Sequence, residues 1–246
     1  MKLFGLIGYP LSHSFSKKYF TDKFHNGDID AQYELYELKQ INEFLSLKTN
    51  LNLFGLNVTI PYKQQIIPFL DELDEIAVEI GAVNVIKFIR ENDVLRLKGF
   101  NTDAIGFEQS IKPHLKSYHQ KALILGTGGA SRAIDFSLQK LGLSTIFVSR
   151  TPEIAQFGYT DLNEKVLSEY LVIINATPVG TFPRVDESPD IPYEYLTSKH
   201  LLFDAVYNPA ETVFLKKGRA NGTDGMNGEE MLIRQAEAAW KIWNDL

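Results

Sequence analysis

The chain has no cysteine among its 246 residues, which excludes disulfides, cysteine-bound zinc and a thiolate nucleophile. That absence also fits a reducing compartment. Positive charge is not in excess. The 25 basic and 31 acidic residues leave a formal net charge of −6, the wrong sign for a nucleic-acid-binding surface. No apolar run approaches the ~18 residues that a membrane span needs. The apolar start is broken by Gly5 and Gly8 and does not read as a signal peptide. The five histidines are scattered, and His13 has no acidic or histidine partner at ligand spacing, so no metal is expected. These absences point to a cytoplasmic globular protein without a metal, nucleic-acid or membrane partner. With 44% hydrophobic residues, the chain can bury one or two cores.

Short apolar runs alternate with amphipathic stretches. Strands are expected at Leu3–Ile7, Tyr33–Leu38 and Phe54–Thr59, with helices near Ser16–His25 and Ile41–Leu47. Two further helices are expected around Gln64–Leu70 and Leu73–Ile80. Ala82–Arg90 and Val94–Lys98 read as a hairpin turning at Glu91-Asn92-Asp93. A helix at Ala104–Leu115 leads to the buried strand Lys121–Leu125, a glycine cluster, a helix through Leu141 and a strand at Thr145–Val148. Later strands fall at Leu171–Asn175 and Leu201–Ala205. Phe182–Pro192, with three prolines and three acidic residues, reads as a surface loop. In the last helix, Glu229–Trp243, residues Leu232, Ala236, Ala239, Trp240 and Trp243 share one face. Strands alternating with helices imply a mainly parallel sheet with right-handed crossovers.

The segment Gly126-Thr127-Gly128-Gly129-Ala130-Ser131-Arg132 sits between a strand and a helix. Glycines there let the backbone approach a pyrophosphate, and the helix N-terminus aims N–H groups at its charge. The plainer alternative is a tight strand-to-helix turn. Ser131 stands where a third glycine or alanine is usual, and is small enough to keep helix and strand close. The next strand ends in Ser149-Arg150-Thr151, without the carboxylate that would hold an NAD ribose. Arg150 can instead pair with a 2′-phosphate, which favours NADP, or be a solvated surface charge. In Gly8–Ser16, Ser14 and Ser16 can aim at one anion, or a serine there can simply cap a helix. Lys63, just past a strand end, is an acid/base group if its pKa is lowered, and otherwise a surface charge. Asp103 can equally be a helix N-cap. Gln235 borders the apolar face of the last helix and should have a buried partner.

Together these segments resemble the shikimate dehydrogenase family, nearly end to end. The matching stretches are Ser14-Phe15-Ser16, Asn57-Val58-Thr59-Ile60-Pro61-Tyr62-Lys63, Gly81-Ala82-Val83-Asn84, Asn101-Thr102-Asp103 and the glycine loop. Ser149-Arg150-Thr151, Asn175-Ala176-Thr177-Pro178, Asp204-Ala205-Val206-Tyr207 and Gly228–Ala236 follow in order. The resemblance implies an α/β fold. An N-terminal α/β substrate domain is joined to a Rossmann-like NADP-binding domain, and the C-terminal helix returns to the first. The expected bounds are residues 1–103, completed by 226–246, and residues 118–225, with 104–117 a connecting helix.

The resemblance further implies NADPH-dependent reversible reduction of 3-dehydroshikimate to shikimate, by a monomer or homodimer. Lys63 and Asp103 carry over as catalytic residues. Ser14, Ser16, Thr59, Asn84, Tyr207 and Gln235 carry over as substrate ligands. Gly126, Thr127, Gly128, Gly129, Ala130, Ser149, Arg150, Thr151, Thr177, Ala205 and Gly228 carry over to the cofactor.

The chain departs from the family pattern at Lys17 (proline), Val85 (threonine), Ser149 (asparagine) and Glu230 (glycine). Only about 20 residues separate Thr151 from Leu171, too few for a helix-plus-strand crossover, so a helix is expected to be missing beside the adenine side. Three alternatives are a quinate/shikimate dehydrogenase using NAD, a dehydrogenase acting on a different small acid, and a non-catalytic nucleotide-binding regulator. The regulator would be expected to lose Lys63 or Asp103, and both are present.

Overall fold

The computed structural model of the chain describes residues 1–11, 14–92, 94–151 and 155–245. His13 and the expected turn residue Asp93 lie outside them. The chain divides into two compact units, Met1–Thr102 with Gln235–Leu246, and Asp103–Arg234.

The first unit runs β1 (Lys2–Gly8), α1 (Phe15–Asn26), β2 (Ala31–Glu37), α2 (Phe44–Leu47), β3 (Leu53–Val58), β4 (Glu72–Leu73), α3 (Glu75–Ile80), β5 (Val85–Glu91) and β6 (Val94–Phe100). Its sheet has the order β2-β1-β3-β5-β6-β4. β1 lies parallel to both β2 and β3, whereas β5 is antiparallel to β3 and β6. The mainly parallel expectation is therefore corrected to a mixed sheet here, because β5 and β6 form a tight hairpin. Helix α1 is capped by Ser14, whose hydroxyl accepts from Lys17 N, and buries Phe20 and Phe24 one turn apart.

The last helix, α8 (Glu229–Asn244), brings Ala236, Ala239 and Trp243 into the same core as Phe4, Phe20 and Tyr33. Trp243 Nε1 donates to Ile86 O at 3.1 Å. A side-chain carbon at Gly55 would fall 2.2 Å from that indole nitrogen, so a bare backbone at Gly55 lets the helix seat on the sheet. Truncating such a buried tryptophan typically costs about 3–5 kcal/mol.

The second unit runs α4 (Asp103–Ile111), β7 (Lys121–Leu125), α5 (Gly129–Lys140), β8 (Ser144–Ser149), β9 (Phe157–Gly158), α6 (Glu164–Glu169), β10 (Val172–Asn175), β11 (Leu201–Asp204), α7 (Val213–Ala220) and β12 (Asp224–Met226), ending in the start of α8. Its sheet is entirely parallel, in the order β12-β11-β10-β7-β8-β9. This is the doubly wound order in which the strand succession reverses beside the first strand. β10 and β11 are buried throughout and β7 from Ala122 on, as befits strands covered on both faces.

Four local readings change. Gln64–Leu70 is not an α-helix but a run of turns ending in a 3₁₀ turn at Ile67–Phe69, because Pro68 cannot donate to a helical ladder. Residues 104–117 do not stand between the units, because α4 belongs to the second and buries Phe107 and Ile111 in its core. The first unit is rejoined at Gln235 rather than at residue 226, since Met231 still packs in the second core. The expectation that the residues between Thr151 and Leu171 are too few for a helix and a strand is corrected: the two-residue strand β9 and the six-residue helix α6 both fit there, because each is short. No helix among the described residues is long and apolar enough to cross a membrane.

Candidate active site

In a parallel sheet, ligands sit where neighbouring strands send their connections to opposite sides. In the first unit that point lies between β1 and β3, paired in register at Ile7 and Val58. The two exit loops run side by side: Thr59 N donates to Ile7 O at 2.9 Å and Tyr9 N to Ile60 O at 3.1 Å. At Gly8 a side-chain carbon would fall 2.4 Å from Thr59 Cγ2, so only glycine allows this approach. The β1 loop delivers half-buried Ser14 and Ser16 at the start of α1. The β3 loop delivers half-buried Thr59 and Lys63. Lys63 O accepts from Val83 N at 2.7 Å, and Asn84 O accepts from Val58 N at 2.8 Å, which lays the Gly81–Asn84 segment along the same edge.

Beneath these residues runs a buried polar network. Tyr33 Oη pairs with the Ser16 hydroxyl and donates to Asn57 Oδ1 at 2.6 Å. Burial pushes the Tyr33 hydroxyl well above its ordinary pKa, with the Ser16 contact pulling the other way. Asn57 Nδ2 reaches Asn84 O at 3.4 Å. Asn84 Oδ1 accepts from Thr102 N at 2.7 Å, and its Nδ2 donates to Thr102 Oγ1 at 3.0 Å and to Gln235 Oε1 at 3.5 Å. Gln235 thus has the buried partner its place on the helix requires. Ser14, Ser16, Thr59, Lys63, Asn84 and Gln235 are brought into one neighbourhood.

The second unit has its own reversal point between β7 and β10, in register at Leu125 and Asn175. Gly126 leaves β7 at φ +104°, and a side-chain carbon there would fall 3.0 Å from Thr177 Cγ2. Helix α5 starts from exposed Gly128 with no side-chain cap on its first-turn N–H groups, and a side chain at Gly128 would meet nothing within 4 Å. Such a helix start offers N–H donors to a diphosphate, so the residues fit a dinucleotide. Thr127, Gly129 and Ala130 are half-buried around it, and buried Ser131 donates back to Gly128 O at 2.6 Å. On the far side of β7, Ser149 Oγ accepts from Thr151 N at 3.1 Å, and Arg150 is exposed. Gly228 N donates to Val206 O at 3.2 Å, and a side chain at Gly228 would strike Ala205 O.

Asp103 is the buried first residue of α4 in this unit. Tyr207, past the end of β11, is half-buried, and burial raises its pKa. Among the described residues no group of three or more His, Asp or Glu side chains is placed to hold a metal. Sequence reasoning gives no role to two residues: Tyr33, which links Ser16 to Asn57, and Asp204, quoted only within a motif, which collects donors from both neighbouring loops. A tyrosine on an inward strand position needs a partner for its hydroxyl, and that was the available cue.

The comparisons with known proteins agree with this geometry. Residues 6–86 match the family described as the shikimate dehydrogenase substrate binding domain. A shikimate dehydrogenase (NADP(+)) from Halothermothrix orenii is 39% identical over 265 residues, covering 98% of this chain and 90% of the relative. A shikimate 5-dehydrogenase structure from Thermus thermophilus, with NADP(H) and shikimate, is 30% identical with a TM-score of 0.86, covering 100% of this chain and 94% of that one. A quinate dehydrogenase from Corynebacterium glutamicum, in complex with NAD, is 26% identical with a TM-score of 0.88, covering 100% and 94%. With 39% identity over nearly the whole of both chains, the chain belongs to the shikimate dehydrogenase family.

Proposed function

We propose that this protein catalyses the reversible reduction of 3-dehydroshikimate to shikimate with NADPH. The observation that carries the reading is the gathering of Ser14, Ser16, Thr59, Lys63, Asn84 and Gln235 at the reversal point of the first sheet. Bound NADPH supplies the hydride that adds to the C3 carbonyl carbon. The Lys63 ammonium donates a proton to the carbonyl oxygen and stabilises negative charge developing there. Ser14 and Ser16 donate their hydroxyls to the substrate carboxylate. Thr59, Asn84 and Gln235 orient the ring hydroxyls, and Tyr207 is a further substrate ligand.

Gly126, Thr127, Gly128, Gly129 and Ala130 hold the diphosphate. Ser149, Arg150 and Thr151 hold the 2′-phosphate end, and Thr177, Ala205 and Gly228 complete the cofactor contacts. The missing carboxylate after β8 favours NADP over NAD. We place the enzyme in the cytoplasm, as a monomer or homodimer.

The test of the chemistry is Lys63→Ala. Its kcat should fall by about 10²–10⁴ while KM for shikimate changes far less, because the lost interaction is strongest in the transition state. Asp103, the partner that the family pattern gives Lys63, is tested by Asp103→Ala. That variant should also lose kcat, and the double variant should be less than additive. A Lys63→Ala enzyme that keeps most of its kcat would assign the proton transfer elsewhere.

A further inference from the structure

Asp204 ends β11 fully buried, with no cation paired to it among the described residues. Its surroundings are all donors. Oδ1 accepts from Asn175 Nδ2 at 2.9 Å and from Val206 N at 3.0 Å, and Oδ2 accepts from the Thr212 hydroxyl at 2.5 Å. Each donor belongs to a different stretch of chain: the end of β10, the loop after β11, and the cap of α7. A charge left in such a place is costly unless its hydrogen bonds are worth more than its desolvation.

The useful property is polarity. An ionised carboxylate can only accept, whereas an amide has one accepting and one donating end. Asn175 must therefore turn its NH2 toward Asp204, where it also meets Val179 O at 3.2 Å. Its oxygen is then left facing Thr177, and it accepts both Thr177 N at 3.1 Å and the Thr177 hydroxyl at 2.6 Å. On the other side the same carboxylate holds Val206 N, and Val206 O accepts from Gly228 N. Thr177, Ala205 and Gly228 are cofactor contacts in the proposed function, on which this inference rests.

We infer that Asp204 is a positioning residue for the cofactor: its carboxylate sets the orientation of the Asn175 amide and so fixes Thr177, while holding the Ala205–Tyr207 turn against Gly228. It touches no reacting atom. Asp204→Asn keeps the shape, but one of its two ends becomes an NH2 where Asn175, Val206 and Thr212 all donate, so it cannot accept from all three and its hold on the Asn175 amide and the turn weakens.

The experiment measures NADPH binding by fluorescence titration and follows the Thr177 amide resonance by NMR without cofactor. Asp204→Asn should raise the NADPH Kd and the NADP KM about three- to tenfold with kcat nearly unchanged. Its Thr177 resonance should move, and its fold should be retained. Thr177→Val, which removes the hydroxyl alone, should weaken NADPH by a similar factor, and the double variant should be no worse than either single one. If Asp204→Asn does not fold, Thr177→Val decides: unchanged NADPH binding overturns the inference. So does an Asp204→Asn protein with wild-type Kd and an unmoved Thr177 resonance, or losses that multiply in the double variant. Failure of the proposed function is distinguishable, because the wild-type protein would then bind no NADPH at all, while the resonance still reads whether Asp204 positions Thr177.

Discussion

Tyr33 Oη donates to Asn57 Oδ1 at 2.6 Å, and both side chains are buried. Through that one hydroxyl, Ser16 at the start of α1 is tied to the end of β3, and through Asn57 to Asn84. Tyr33→Phe should leave the Asn57 oxygen without its donor, at a cost of about 1–3 kcal/mol of stability. Ser16 should also lose its anchor, so KM for shikimate should rise several-fold with little change in kcat. Urea unfolding and steady-state kinetics check both, and wild-type values in each would remove the network from the account.

Arg150 follows β8 directly, at the strand end where an NAD site places the carboxylate that holds a ribose hydroxyl. Losing a charge-assisted hydrogen bond to phosphate typically costs about 1.5–3 kcal/mol, roughly ten- to a hundredfold. Arg150→Ala should raise KM for NADP by that factor and leave NAD kinetics almost unchanged. Equal losses with both cofactors would mean that Arg150 does not read the 2′-phosphate.

Burial lifts the Asp204 pKa to about 6 from 3.8, against the pull of Thr212, Val206 and Asn175. The folded protein then holds this proton more tightly than the unfolded chain. The associated stability is fully present below about pH 4 and is lost as pH rises through about 6, by about 3 kcal/mol. Asp204→Asn lacks the titration. The wild-type minus variant difference in unfolding free energy should therefore decline between about pH 4 and pH 7, other groups cancelling. Urea titrations of both proteins across that range measure it, and a flat difference would contradict the assignment.

The elements most legible in the sequence were those with one strong physical cause. Lys121–Leu125 is bounded by its pattern because a lysine precedes the apolar run Ala122–Leu125, which ends in a glycine that takes positive φ. The last helix was legible because Ala236, Ala239 and Trp243 repeat at helical spacing on a buried face. Gln64–Leu70 failed because its apolar spacing suits a helix while Pro68 forbids one. The antiparallel pairing of β5 to β3 was not legible, since strand partners are set by the whole sheet rather than by either strand. At the site, motif residues could be given roles singly, but Tyr33 and Asp204, the latter named only within a motif, could not. Each acts through partners far along the chain, Asn57 for one and Asn175 for the other.

The account stands or falls on which substrate and cofactor the protein turns over. Shikimate has a planar C1 bearing its carboxylate, whereas quinate adds a hydroxyl there, which the proposed function sets beside Ser14 and Ser16. A buried hydroxyl without a partner costs about 1–3 kcal/mol, roughly ten- to a hundredfold in kcat/KM. The decisive measurement is kcat/KM for the purified protein with shikimate and quinate, each with NADP and NAD, followed by nicotinamide absorbance at one pH. The account predicts that shikimate with NADP exceeds each other combination by about tenfold or more. Equal values for the two acids, a preference for quinate with NAD, or no turnover in any combination would contradict it.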